Sequence, residues 1–259
     1  MKRILTRAVR CVLTRFVTST VIVAGALTVG AGHSTAQPAA LVATNVGYDC
    51  VAVIALIPIM PERVASVLPS GYGPESLLGM LVSPGMPGPA QLTVQTATCQ
   101  RGVLNGVATG RHSETVRALS IKPRDSAAGY HLYNYDFATD EQRLVDTFHR
   151  AGLTARYAER LGGAELQGVG VGEAGDLRLR VTELSASPIP LSAINVWHTG
   201  EDGTGVLRGD KTDSHGQVGV GCVTAAPESS IAQLLGTTDA CGLGQVQHFD
   251  SVDRYYRLD

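Results

Sequence analysis

Apolar residues recur in this chain at every second position, in short stretches that end at glycine or proline. Leu177-Arg-Leu-Arg-Val181 is the cleanest case, because large aliphatic and charged residues alternate without a break. Successive side chains of a strand point to opposite faces, so this pattern marks a half-buried β-strand. Gln91–Cys99 alternates likewise, with Leu92 and Val94 on one face and Gln91, Thr93 and Gln95 on the other. In Tyr130–Phe137, one face holds His131, Tyr133, Tyr135 and Phe137. Ile194–Trp197, Gln217–Val223 and Gln245–Leu258 read as further strands. Cys50–Pro58 is a continuous β-branched apolar run, as expected of a central strand buried on both faces.

Helical signals are few and short. Pro61 opens a helix expected to reach Leu68, since proline suits the first helical position. A Thr139-x-x-Gln142 capping box and Gly152 bound a helix at 140–151 with Leu144, Val145 and Phe148 as its apolar stripe. Pro227–Leu235, ended by Gly236, is the third. Strands do not alternate with long helices, which argues against a doubly wound parallel sheet. The expected fold is α+β, a mostly antiparallel sheet curled into a barrel or cone with about three short helices.

The first 36 residues carry Lys2, Arg3, Arg7, Arg10 and Arg15 and no acidic residue. An uncharged stretch, Phe16–Gly32, follows and closes on Ser34-Thr35-Ala36. A basic head, an apolar middle and a small-x-small exit read as a secretory signal cleaved before Gln37. Residues 37–48 read as a flexible lead-in and 49–259 as a single domain. The expected location is outside the cytoplasm, in the envelope or the medium. The Ala/Gly/Val-heavy composition suggests a bacterial source. Taking those five basic residues from 21 leaves sixteen against 23 acidic ones. So acidic a chain, with only Lys122 and Lys211 left as lysines, is a poor match for nucleic acid. No second apolar run reaches spanning length, so no stable membrane span is expected after processing.

Cys50, Cys99, Cys222 and Cys241 remain, an even number in an exported chain, and read as disulfides. Three connectivities are open; sequence neighbourhood favours Cys50–Cys99 with Cys222–Cys241. No Cys-x-x-Cys, His-x-x-x-His or His-Glu-x-x-His motif occurs, so no metal site is expected. Gly168-Val-Gly-Val-Gly172 lacks the Gly-Lys-Ser/Thr of a phosphate loop, and Glu173–Asp176 reads as a hairpin turn. Glu201–Gly205, with Asp210 and Asp213, lacks the order of a calcium loop and reads as a solvated turn. Gly-x-Ser-x-Gly is absent. No cofactor is expected.

One stretch resembles a known family. The apolar strand Val51–Pro58 leads into a short helix ending Val67-Leu68-Pro69. Gly71-Tyr72-Gly73-Pro74 follows, and then the strand Leu92–Thr98. This layout resembles the front half of the acetoacetate decarboxylase-like fold. The resemblance implies a β-barrel or cone around an apolar cavity, where the decarboxylases form a Schiff base between a lysine and a keto acid. Here the chain departs from the family. The stretch corresponding to its Lys-Lys segment, Gln142–Tyr157, has no lysine. Lys122 stands alone before Pro123, and Lys211 lies in a polar segment. The reading is therefore an exported protein that binds a small apolar or carbonyl-containing ligand without Schiff-base decarboxylation.

Two surfaces are candidates for that ligand: the face His131, Tyr133, Tyr135, and the pair Trp197-His198, which includes the only tryptophan. Arg117 and Glu183 are candidate polar groups inside the barrel. A lyase or hydrolase using His131 or His198 with Glu183 is the alternative, as is a non-catalytic envelope or interaction protein. The oligomeric state stays open.

Overall fold

Leu41–Ile59 is one strand of 19 residues, about twice the length its apolar run marks. The stretch Leu41–Tyr48, expected to be loose, is paired with the C-terminal strand, and from Asn45 onward with a second neighbour. Ladder hydrogen bonds hold it, on both sides from Asn45 onward. The computed structural model describes residues 41–75, 89–122, 130–186, 194–199 and 205–258. The Pro/Gly segment at 83–89, all but its last residue, and most of the acidic turn at 201–205 lie outside them.

Thirteen strands occur among the described residues: β1 (Leu41–Ile59), β2 (Gly73–Pro74), β3 (Ala90–Leu104), β4 (Val107–Thr109), β5 (His112–Lys122), β6 (Tyr130–Thr139), β7 (Arg156–Tyr157), β8 (Leu161–Leu166), β9 (Val169–Ala174), β10 (Leu177–Ala186), β11 (Ile194–Thr199), β12 (Gly205–Ala225) and β13 (Asp239–Leu258). The helices among the described residues are α1 (Pro61–Ala65), α2 (Gln142–Arg150) and α3 (Ser230–Leu235). The expected fold class holds.

The sheet curls until it meets itself. Its order runs β6-β5-β3-β1-β13-β12, and β11 bridges the two ends. β11 is parallel to β6 and antiparallel to the first part of β12. The remainder of β12 leaves this ring and pairs with β10, which continues through β9 to β8 as a wing. The wing folds back against β1, β3 and β5. Gly163 N donates to Thr98 Oγ1 at 3.0 Å across that contact.

Two cores result. Residues from six ring strands converge on the ring interior, among them Ala43, Leu104, Val116, Leu132, Val196 and Tyr256; Leu144 and Phe148 of α2 join them. The other core lies between ring and wing and contains Val53, Ile57, Leu92, Val94, Leu119, Leu179 and Val181. Each buried aliphatic side chain contributes about 1.5–3 kcal/mol. The half-buried reading of β3 is corrected accordingly. Gln91 and Thr93 are buried as well as Leu92 and Val94, because both faces of the strand are covered.

The glycine-rich run forms strand β9 after a turn at Gly168. A Cβ on Gly172 would land on Thr96 Oγ1, and one on Gly170 would strike Val246 and Val53. The small residues let wing and ring approach closely. Gly172→Val is expected to cost about 1–3 kcal/mol through overpacking, read as a lower urea midpoint.

Local signals set the helix ends, with adjustments. Pro61 starts α1, but the helix stops at Ala65. α3 starts at Ser230 and not at Pro227; Ser229 caps it by accepting from Ala232 N, and Gly236 ends it in the left-handed region at φ 73°. Glu141, not Thr139, caps α2. Thr139 still belongs to β6 and donates to Ser113 O, while Gln142 turns forward to Asp146. The disulfides pair as the sequence neighbourhood favours. Cys50–Cys99 staples β1 to β3 and Cys222–Cys241 staples β12 to β13, each directly across a ladder. Such links constrain the unfolded chain.

Candidate functional site

A bulge in β6 divides the candidate residues. Val116 pairs with Phe137 and Arg117 with Asp136, but Ala118 pairs with Asn134, so Tyr135 is an extra residue. A bulge reverses which face later side chains take. Phe137 therefore leaves the face of His131 and Tyr133, enters the ring interior and packs on Phe148 at 4.9 Å between ring centres. The single aromatic face expected over Tyr130–Phe137 is corrected on this ground.

β11 lies beside β6 in register, Asn195 opposite His131 and Trp197 opposite Tyr133. This unites the two surfaces that the sequence holds far apart. Trp197 Nε1 donates to His131 Nδ1 at 2.9 Å, and both side chains are buried. His131 is thereby set as the tautomer with its proton on Nε2, and that atom has no partner among the described residues. Tyr72 covers the pair, with ring centres 5.8 Å from Tyr133 and 6.3 Å from Trp197. Trp197→Phe is expected to cost about 1 kcal/mol, because His131 loses its donor in a dry site. Urea unfolding followed by circular dichroism measures it.

His198, the next residue along β11, faces the ring interior. Its Nδ1 donates to Asn134 Oδ1 at 3.1 Å, and Asn134 Nδ2 donates to the carbonyls of Asp136 and Arg117. Phe148 and Tyr256 stand within 6 Å of its ring. Trp197 and His198 thus serve opposite faces of one strand.

Arg117 is fully buried on the ring–wing side and held by two carboxylates. It pairs with Asp136 at 3.0 Å and with Asp176 at the β9–β10 turn. Asp136 also takes a two-pronged pair from Arg156. Burial pushes the Asp176 carboxyl up, yet the hydrogen bonds and charge of Arg117 outweigh it and hold the group below the usual carboxylate range. Burial pushes the neighbouring Tyr135 phenol well above its ordinary value. Arg117 is therefore part of a structural network and not a free cation inside a barrel. Glu183 is exposed in a bulge of β10 at φ 58° and joins none of these residues.

The ring interior holds a second charged pair that sequence patterning misses. Glu114 of β5 and Arg254 of β13 are 2% and 3% exposed, with Arg254 Nη2 at 2.8 Å from Glu114 Oε1. Asn45 lies opposite Arg254 in the β1–β13 ladder. Both Glu114 carboxylate oxygens, Arg254 Nε and Nη1, and Asn45 Nδ2 are buried without a hydrogen-bond partner among the described residues, the Oε1 contact being an ion pair. Buried polar groups are nearly always satisfied, and buried charges need more than one hydrogen bond to offset desolvation. Three donors and two acceptors thus stand open beside an apolar wall that includes Leu104 and Tyr256. Lys122 is exposed at the end of β5 and takes no part in this cluster.

No family model and no curated protein matches the sequence. Solved structures match the fold. Acetoacetate decarboxylase from Legionella pneumophila aligns over 86% of this chain and 88% of its own at 12% identity, with a TM-score of 0.53. An acetoacetate decarboxylase-like enzyme from Sphingomonas wittichii RW1 covers 83% and 90% at 11% identity, TM-score 0.54. The enduracididine biosynthesis enzyme MppR, in complex with the condensation product of pyruvate and imidazole 4-carboxaldehyde, covers 88% and 92% at 13% identity, TM-score 0.53. With the ring, the wing and the front-half layout in place, the chain has the acetoacetate decarboxylase-like fold.

Proposed function

We propose that this is an exported protein that binds a small, largely apolar molecule bearing a carbonyl or carboxylate group inside the strand ring, without Schiff-base chemistry. The observation that carries the reading is the buried Glu114–Arg254 pair, with its open donors and acceptors. A carbonyl or carboxylate oxygen would accept from Arg254 Nε or Nη1 and from Asn45 Nδ2. A ligand hydroxyl would donate to Glu114 Oε2. The apolar wall would take the rest of the molecule. Solved relatives in fold include MppR complexed with pyruvate. Export is supported by the basic, apolar, small-residue order of the first 36 residues and by the two disulfides.

Trp197 offers the readout, being the only tryptophan and one strand position from His198 in the ring. Titration with acetoacetate and pyruvate is expected to change its emission saturably. Borohydride added to the mixture is expected to leave the intact mass unchanged. A reduced adduct on Lys122 or Lys211 would overturn the non-covalent reading, and the absence of any saturable change with either probe would overturn ligand binding.

A further inference from the structure

The outer face of the wing carries a separate feature. Leu177, Leu179 and Val181 of β10 point to the core, so Arg178 and Arg180 point away from it. The ladders align two rows across the strands. One runs Gly162, Glu173, Arg178, Thr224; the other runs Ala164, Val171, Arg180, Cys222. Arg111, at the turn into β5, and Arg160, just before β8, border the same pocket, whose volume is about 650 Å³. That is the size of small-molecule sites. Gly162 and Ala164 leave its floor on β8 open.

Four arginines and one glutamate line this pocket. Elsewhere, Arg101, Arg117, Arg143, Arg156 and Arg254 each have a carboxylate partner, while Arg63 and Arg150 donate to Gln233 O and Thr147 Oγ1. Arg111, Arg160, Arg178 and Arg180 have none among the described residues, and all four are exposed. That glutamate, Glu173, lies across the ladder from Arg178, and one further carboxylate is near, Asp239, which accepts from Thr224 Oγ1 at 2.8 Å. The cations still prevail on this face, in a chain that is acidic beyond residue 36. Like charges gathered without partners repel, and a bound anion relieves that repulsion. Guanidinium forks take carboxylate and phosphate groups two bonds at a time. Arg178 and Arg180, two residues apart on one strand, are spaced by about 7 Å at the backbone.

We infer that this pocket binds a small organic or inorganic polyanion with two or more carboxylate or phosphate groups, at a site separate from the ring. Calorimetric titration of the protein with citrate and with tripolyphosphate at low ionic strength tests this, and the stronger probe identifies the anionic group. At least one is expected to bind, more weakly as salt rises. Arg178→Gln/Arg180→Gln is expected to weaken it at least tenfold, and Arg101→Gln/Arg143→Gln, which alters paired arginines elsewhere, to leave it unchanged. Acetate is expected to bind at least tenfold more weakly than citrate. No binding of either polyanion, equal binding by the Arg178/Arg180 variant, or displacement by pyruvate at concentrations that saturate the ring would overturn the inference.

Discussion

Arg254→Ala is expected to lose about 3–5 kcal/mol of folding stability. The substitution leaves the Glu114 carboxylate, 2% exposed, in the ring without its only ion-pair partner among the described residues. The large effect is the cost of stranding a charge, and it does not measure what the pair contributes. Glu114→Leu/Arg254→Met separates the two. Removing both charges and keeping apolar volume is expected to leave stability within about 1 kcal/mol of the parent, or to raise it. Urea denaturation gives both values from the midpoint at constant slope. A double variant as unstable as Arg254→Ala would make the pair a structural requirement. A stable double variant frees the pair for a role in binding.

Arg117→Ala is expected to cost about 3–5 kcal/mol through two causes acting together. Arg117 heads the fully buried side chains in volume, so its loss opens a cavity between ring and wing. It also deprives Asp136 and Asp176 of their buried cation. Both acids retain some water contact, at 20% and 35% exposure, which places the electrostatic share at the lower end. The pH dependence carries a sign. The Asp176 carboxyl lies below its ordinary value when folded. Its stabilising effect is therefore complete above the unfolded value of about 3.9 and is lost as pH falls through the folded one. The parent is expected to lose stability steeply below about pH 4, and Arg117→Ala to lose less of its remaining stability there. Equal slopes in the two proteins would remove Arg117 as the cause.

Much of the fold is legible in the sequence because the wing follows the simple rule. Leu177–Val181 alternates as written, since one face meets the core and the other meets water. β5 hides for the opposite reason. Its run His112-Ser-Glu-Thr-Val-Arg-Ala-Leu looks solvated, yet every residue in it is buried. With ring interior on one side and wing on the other, polar side chains there satisfy each other across strands, and alternation disappears. Glu114 and Arg117, adjacent in pattern, end on opposite faces and in different networks. The bulge at Tyr135 similarly has no local sequence mark; pairing with β5 creates it. β8 and β9 carry little strand signal because glycines stand where large side chains would mark the alternation, although close packing on Thr96 and Val246 requires them.

The site is legible in part. His131, Tyr133 and Trp197 do come together, since β11 adds in parallel beside β6. Glu183 does not, because its bulge turns it outward. Asn45, Glu114 and Arg254 lie far apart in sequence, in segments with no motif. Only the curled sheet brings them to one interior.

The most direct measurement is calorimetric titration of acetoacetate and pyruvate into the parent and into Glu114→Leu/Arg254→Met. The parent is expected to bind at least one of them, with the folded double variant losing binding at least a hundredfold. Equal binding by both proteins would contradict a ligand seated on the Glu114–Arg254 pair.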